Sequence, residues 1–195
     1  MRGYGLVPVS TGGTTELPVS LADLKDACRL DSTGTADDAF LSARCFTAAA
    51  ILERESNRSF LRKQFDLTLD GAPCERYIKV PVSPLVSVQS IVGIDVDGAE
   101  TTLSTSAYTV DVSREPGRIL LNSGYSWPSG LRSYASMRVR LTAGYSTSES
   151  GIDDPLRTAI GQFVAHFYEH RGDGDIPVPQ AVRDCMAEYL LPEAS

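Results

Sequence analysis

The spacing of apolar residues changes twice along this chain, and the change limits the folds it can adopt. Apolar side chains recur every three to four residues near both ends, whereas apolar and polar residues alternate through the middle. The first spacing places apolar residues on one face of a helix, and the second places them on one face of a strand. The sequence therefore predicts an α+β fold, with a helical core built from N- and C-terminal helix pairs and a central, mostly antiparallel β insertion.

Start signals mark two helices on each side of the β region. Ser20 stands three residues before Asp23, and Thr35 stands three residues before Asp38, which is the spacing of a capping hydroxyl and a first-turn carboxylate. Two acids and Pro155 open the third helix. The predicted helices cover about residues 20–30, 37–55, 153–172 and 179–191.

Turn signals divide the central block into about six strands. Asp70-Gly71, Asp97-Gly98 and Pro116-Gly117 are typical turn dipeptides, and each follows or precedes an alternating run. The predicted strands cover residues 65–70, 77–80, 86–92, 108–112, 118–121 and 137–141.

These patterns predict four segments. Residues 1–17 are rich in Gly, Thr and Pro and show no periodicity, which indicates a flexible N-terminal arm. Residues 18–59 and 146–195 carry the helices of the core, and residues 60–145 form the β insertion.

The net charge of the chain argues against tight binding to nucleic acid. Eighteen Lys and Arg against 25 Asp and Glu give a formal charge of −7, which is the wrong sign for neutralising phosphates. The excess belongs to the helical ends, because residues 1–57 hold 5 basic and 8 acidic groups and residues 153–195 hold 3 and 8. Residues 58–152 hold 10 and 9.

The sequence shows neither a membrane span nor a secretion signal. Its longest apolar run, Ala48–Leu52, is far shorter than the roughly 20 residues that a spanning helix needs. The N-terminus lacks the apolar stretch of a signal peptide. We therefore expect an intracellular chain whose cysteines, which form no C-x-x-C pair, are free buried thiols: Cys28, Cys45, Cys74 and Cys185.

One motif is typical of an enzyme. Residues 166–170 read His-Phe-Tyr-Glu-His, so His166 and His170 lie one helical turn apart and could bind zinc beside Glu169 as a base. Glu188 or Cys185 would have to complete the site. The same residues suit an ordinary helix end, where His170 complements the helix dipole. The sequence favours the second interpretation and predicts no catalytic residue, cofactor or metal.

Other candidates for chemistry have structural explanations. The pairs Asp37-Asp38 and Asp153-Asp154 stand where helices begin, and carboxylates stabilise the positive end of a helix there. The sequence contains no nucleophile elbow and no glycine-rich nucleotide fingerprint. Tyr125, Trp127 and Tyr134 could stack on a sugar or a base, but they are more typical of residues that close the open end of a sheet.

Short segments along the chain, in a shared order and spacing, match a known pattern: 18–25, 37–41, 57–60, 67–70, 80–81, 84–88, 115–119, 127–128, 139–145, 155–160, 164–171, 176–177 and 190–191. They resemble the head–tail connector family of tailed bacteriophages, also called adaptor or head-completion proteins, in its long form with a β insertion. The resemblance extends over about residues 18–192. The family pattern has one histidine in residues 165–171, so His170 corresponds to a variable position.

The resemblance implies a non-enzymatic virion component at the head–tail junction, made in the cytoplasm of a bacterial host. Such a protein forms a ring, expected to contain twelve copies, that docks on the portal protein and joins it to head-closure or tail-terminator proteins. DNA passes through the channel without sequence-specific binding, and no membrane is involved. Another virion-completion or glycan-binding module is the non-enzymatic alternative.

A ring needs two different complementary faces on each subunit. We expect the helical ends to supply contacts between copies or to the portal, although ordinary packing of the last two helices would explain the same residues. The candidate interface residues are Phe167, Tyr168, Arg171, Pro177, Val178, Tyr189, Leu190 and Leu191.

Overall fold

A computed structural model of the protein describes residues 4–9, 16–171 and 176–191. The described residues fall into two compact units. A helical unit is formed by residues 16–61 and by Tyr145–Leu191, and a β unit is formed by Arg62–Gly144 together with an N-terminal strand. Helices and antiparallel strands coexist, which confirms the predicted α+β class.

The helical unit contains α1 (Leu21–Ala27), α2 (Asp38–Ser56), α3 (Asp154–Glu169) and α4 (Gln180–Met186). The predicted cap of α1 is present, because Ser20 Oγ accepts a hydrogen bond from the backbone N–H of Asp23 at 3.1 Å. The helices share one core of fully buried side chains, which includes Leu24, Leu41, Cys45, Ala48, Leu156, Ile160, Phe163 and Val164.

The β unit contains eight strands in the described residues, arranged in two antiparallel sheets. A five-stranded sheet has the order β1-β2-β8-β4-β5, and a three-stranded sheet has the order β3-β7-β6. The strands are β1 (Tyr4–Pro8), β2 (Lys63–Leu69), β3 (Tyr77–Lys79), β4 (Leu85–Ile94), β5 (Glu100–Thr102), β6 (Tyr108–Asp111), β7 (Arg118–Leu121) and β8 (Met137–Ala143).

Strand β8 shows why the alternating pattern folds this way. Met137, Val139 and Leu141 are fully buried, and the arginines between them point to the other face of the sheet. Arg140 donates two hydrogen bonds to Asp66 of β2, at 2.9 and 2.8 Å. The sheet therefore has one face on the core and one polar face in water.

Several predicted boundaries need correction. The first helix ends at Ala27 rather than near residue 30, because Arg29 adopts a left-handed φ of 55°. The last helix ends at Met186 and continues as a 3₁₀ turn, Ala187–Tyr189. The third helix ends at Glu169, and its predicted stop at Gly172 lies outside the described residues.

The predicted Thr35 cap of the second helix is wrong. Asp37 occupies the N-cap position of α2, and its side chain makes no capping hydrogen bond. Its carboxylate instead accepts hydrogen bonds from Tyr168 and Arg171. A tertiary contact has thus replaced the local cap.

Two strands were not predicted. Strand β1 lies within the segment expected to be a flexible arm, and it pairs antiparallel with β2 from Tyr4↔Leu69 to Pro8↔Phe65. Residues 1–3 and 10–15 of the predicted arm lie outside the described residues. Strand β5 pairs with β4 although its three side chains are all exposed.

The cysteines are free, as predicted, but they are not all buried. Cys45 lies in the helical core, and burial raises the pKa of its thiol to about 11. Cys28 and Cys185 are half-buried, and Cys74 is exposed. The prediction of buried thiols is therefore wrong for Cys74.

Candidate functional site

The start of α2 and the end of α3 meet in a polar and aromatic cluster. Tyr168 donates its hydroxyl to Asp37 Oδ2 at 3.0 Å, and Arg171 Nη1 donates to Asp37 Oδ1 at 3.1 Å. The Arg171 guanidinium carbon lies 3.6 Å from the centre of the Tyr168 ring and 4.7 Å from that of Phe40. Two candidate interface residues are thus held within their own subunit.

The surroundings of Tyr168 affect the protonation of its hydroxyl. Partial removal from water, followed by the hydrogen bond to Asp37, raises the pKa of Tyr168. Its hydroxyl therefore stays protonated near neutral pH and acts as a donor. The Arg171 and Asp37 side chains keep 40% and 31% of their surface accessible, so they can also meet another molecule.

Phe167 lies deeper than its neighbours. Its ring stacks on that of Phe163, with centroids 4.5 Å apart and planes 22° from parallel. Only 6% of its surface is accessible, and the guanidinium of Arg44 lies over its ring. The structure therefore places this candidate interface residue in the helical core.

The last described residues are fixed by a buried arginine that the sequence analysis did not single out. Arg58 Nε donates to the carbonyl oxygen of Tyr189 at 2.6 Å, and Nη1 donates to the hydroxyl of Tyr145 at 2.7 Å. The Leu191 N–H donates to the Ser56 carbonyl at 3.4 Å. A signal existed, because Arg58 belongs to one of the segments that carry the family resemblance.

The remaining candidate interface residues differ in exposure. Leu190 is 52% exposed, and Leu191 is half-buried beside it. Pro177 is exposed, whereas Val178 is half-buried against the helical core. Pro177 and Leu190 therefore have side chains available to a partner.

Among the residues that the structure describes, the two histidines have no third ligand with which to form a metal centre. The rings of His166 and His170 lie 4.1 Å apart, and His170 Nδ1 is within 2.9 Å of the His166 carbonyl oxygen. Within the described ranges, no three His, Cys, Asp or Glu side chains converge to hold a metal ion, so neither Glu188 nor Cys185 completes the site.

The carboxylate pairs are likewise separated by their partners. Asp38 forms a 2.8 Å ion pair with the buried Lys25, whereas Asp37 turns to α3. Asp154 pairs with Arg157 one turn later in α3. Asp37, Asp38 and Asp154 therefore each bind a partner within the fold, and Asp37 and Asp38 do not share one site.

The three candidate aromatic residues of the β unit differ in their exposure to solvent. Trp127 packs against the sheet core and donates its indole N–H to the Glu75 carbonyl at 2.8 Å, as expected of a residue that closes a sheet end. Tyr125 and Tyr134 are 43% and 70% exposed. Open grooves of about 380 and 670 Å³ flank the segment 128–131.

Among the solved structures that share this fold are chains from gene transfer agent particles. A chain in the neck of an empty particle, computed with C6 symmetry, is 25% identical, with a TM-score of 0.80 over 98% of this chain and 97% of that chain. A chain in the virion of the native particle is 23% identical, with a TM-score of 0.79 over 97% of each. A chain in the native neck, computed with C12 symmetry, is 23% identical, with a TM-score of 0.76 over 98% and 97%.

No protein-family model matches the chain, and no curated protein matches it in sequence. The structural similarity nevertheless extends over nearly the whole of both chains. It confirms the predicted resemblance to head–tail connector proteins of phage-like particles. In the described part of the chain, no helix is both long and apolar enough to cross a bilayer.

Proposed function

We propose that this protein is a structural component of the neck of a tailed phage or a phage-like particle. It forms a ring of twelve copies that docks on the portal protein, joins it to head-closure or tail-terminator proteins, and leaves a channel for DNA. The observation that supports this most strongly is the full-length similarity to a neck chain, with a TM-score of 0.80. The native neck computed with C12 symmetry supports the copy number.

The two units take different parts in this proposal. The helical unit is the connector core, and the β unit is an insertion within it. Among the candidate interface residues, Arg171, Pro177 and Leu190 are exposed, and we assign them to contacts with other subunits or with the portal. The protein acts by assembly and without a catalytic step.

Electron microscopy of the purified protein, with and without the portal protein of the same particle, tests the function. We expect closed rings seated on the portal. A protein that stays monomeric and never joins the portal would contradict the proposal.

Metal analysis of the same sample addresses the enzymatic alternative. We expect no stoichiometric zinc, because the described His, Cys, Asp and Glu side chains form no ligand set. One zinc ion per chain would instead support a hydrolase based on His166, Glu169 and His170.

A further inference from the structure

Strand β1 is attached to the β unit almost entirely through its main chain. It pairs antiparallel with β2, and the Val9 N–H extends the pairing by donating to the Gln64 carbonyl at 2.8 Å. Four of its five side chains are exposed, and of the five only Leu6 packs against the sheet core. The edge of β2 therefore recognises an extended backbone with one apolar side chain, which is how an added strand is bound.

The residues that follow β1 belong to the other unit. Strand β1 groups with the β unit, whereas the described chain from Glu16 to Leu61 groups with the helical unit. The intervening residues 9–15 read Val-Ser-Thr-Gly-Gly-Thr-Thr. Seven residues span up to about 25 Å when extended. A strand joined to the rest of its chain in this way can be exchanged between copies with every one of its contacts kept.

The edge of β2 that β1 covers would be open without it. Gln64 turns its main-chain groups towards β1, and Asp66 and Thr68 do the same by the alternation of an antiparallel pair. An open edge of this kind pairs readily with a strand of another chain. Residues 4–8 are the occupant that the structure shows for this edge, and the same segment of a neighbouring copy fits it equally well.

The outer edge of β1 ends the five-stranded sheet. Because Val9 donates to β2, the same alternation turns the main-chain groups of Leu6 and Pro8 away from β2. Pro8 has no N–H to donate there, and a proline at such a position protects an edge from further pairing. A strand from a second copy therefore fits this sheet as a replacement for β1 and not as an addition to it.

We propose that, in the ring, residues 4–8 of each copy pair with β2 of the next copy, in the register that one chain shows by itself. The inference rests on the ring of the proposed function and names a contact that links its neighbours. A ring of identical subunits needs a donor face and a different acceptor face on every copy. Strand β1 and the β2 edge are such a pair, and the register from Tyr4↔Leu69 to Pro8↔Phe65 demonstrates their fit.

A pair of introduced cysteines distinguishes the two possible donors of the strand. Gly5 and Thr68 are register partners, and a side chain added at Gly5 meets no atom within 4 Å. Opposed residues of antiparallel strands lie about 4.5 to 5.5 Å apart at Cα, which suits a disulfide. Gly5→Cys with Thr68→Cys is oxidised in rings assembled on the portal protein, and non-reducing electrophoresis separates the products.

Gly5→Cys with Thr142→Cys is the matched control. Thr142 lies on β8 opposite Gln64, so it is four residues and one strand away from the partner of Gly5 and beyond the reach of a disulfide. The control keeps the four native cysteines, so any bonds that they form appear equally in both samples.

We expect covalent multimers, up to the closed ring, in at least tenfold greater amount than in the control. Rings whose introduced cysteines join only within one chain, or do not join, would overturn the inference and leave the proposed function intact. A wild-type chain that forms no ring with the portal protein would overturn both. Tyr4→Cys with Leu69→Cys, another register pair, repeats the test if circular dichroism shows that the first variant does not fold.

Discussion

Arg58 fixes the C-terminal end of the described chain through hydrogen bonds to two oxygen atoms. Its side chain is 7% exposed and donates to the Tyr189 carbonyl and the Tyr145 hydroxyl. Because charge-assisted hydrogen bonds are stronger than neutral ones, we expect Arg58→Met to lower the free energy of unfolding by about 2 to 3 kcal/mol. Urea denaturation measures this change.

The exposed Arg62 provides the control for that experiment. Arg62→Met should alter the free energy of unfolding by less than about 0.5 kcal/mol, as is usual for surface positions. Equal effects of the two substitutions would show that the buried hydrogen bonds of Arg58 add nothing to the free energy of unfolding.

The ion pair between Asp66 and Arg140 makes stability depend on pH. The hydrogen bonds from Arg140 lower the pKa of Asp66 in the folded protein. The stabilisation is therefore complete above the unfolded-state pKa of about 4 and is lost as the pH falls through the lower, folded-state pKa. Because Arg140 is 42% exposed, solvent screening limits the contribution to less than about 1 kcal/mol.

Asp66→Asn should therefore be less stable than the wild type at pH 7 and should approach it as the pH falls through the lowered, folded-state pKa of Asp66. Denaturation curves at several pH values between 3 and 7 measure the difference. A difference that does not change with pH would mean that packing, rather than charge, accounts for the effect.

At the scale of elements, the register of β1 predicts which of its side chains stabilise the sheet. Leu6 pairs with the buried Leu67 and is half-buried against the sheet core, whereas Val7 is 61% exposed. Leu6→Asp places a charge against the core and should lower the free energy of unfolding by about 1 to 2 kcal/mol, while Val7→Asp should change it by less than about 0.5 kcal/mol. Chemical denaturation compares the two, and equal losses would contradict the register.

How far each element could be predicted depends on where its stabilisation arises. The alternation in β8 and the buried stripe of α3 predicted both elements, because burial of their own side chains holds them in place. Strand β5 was missed because Glu-Thr-Thr buries nothing and is held by main-chain pairing to β4. The Thr35 cap failed because Asp37 is bound by residues that follow it by more than a hundred positions.

The candidate site shows the same limit. The sequence drew attention to the end of α3, but the structure places Phe167 in the core, and Arg58 was not among the candidates. Both outcomes depend on contacts between distant parts of the chain, which periodicity does not encode.

For the whole molecule, the charge predicts how the protein treats DNA. The formal charge is −7, and the β unit's segment 62–144 is nearly balanced. We expect no detectable binding to duplex DNA at about 0.15 M salt, because binding of this kind depends on cationic groups that release counterions. Electrophoretic mobility shifts at several salt concentrations measure it, and salt-sensitive retention would identify a basic surface that these charges do not suggest.

The pairing of β1 also bears on how such proteins diverge. A strand attached through peptide groups depends little on the chemistry of its own side chains, and four of its five positions are exposed. Substitutions can therefore accumulate in this segment over evolutionary time while the sheet keeps its edge. Among relatives of this protein, the extent of the five-stranded sheet is consequently better judged from structures than from a sequence alignment.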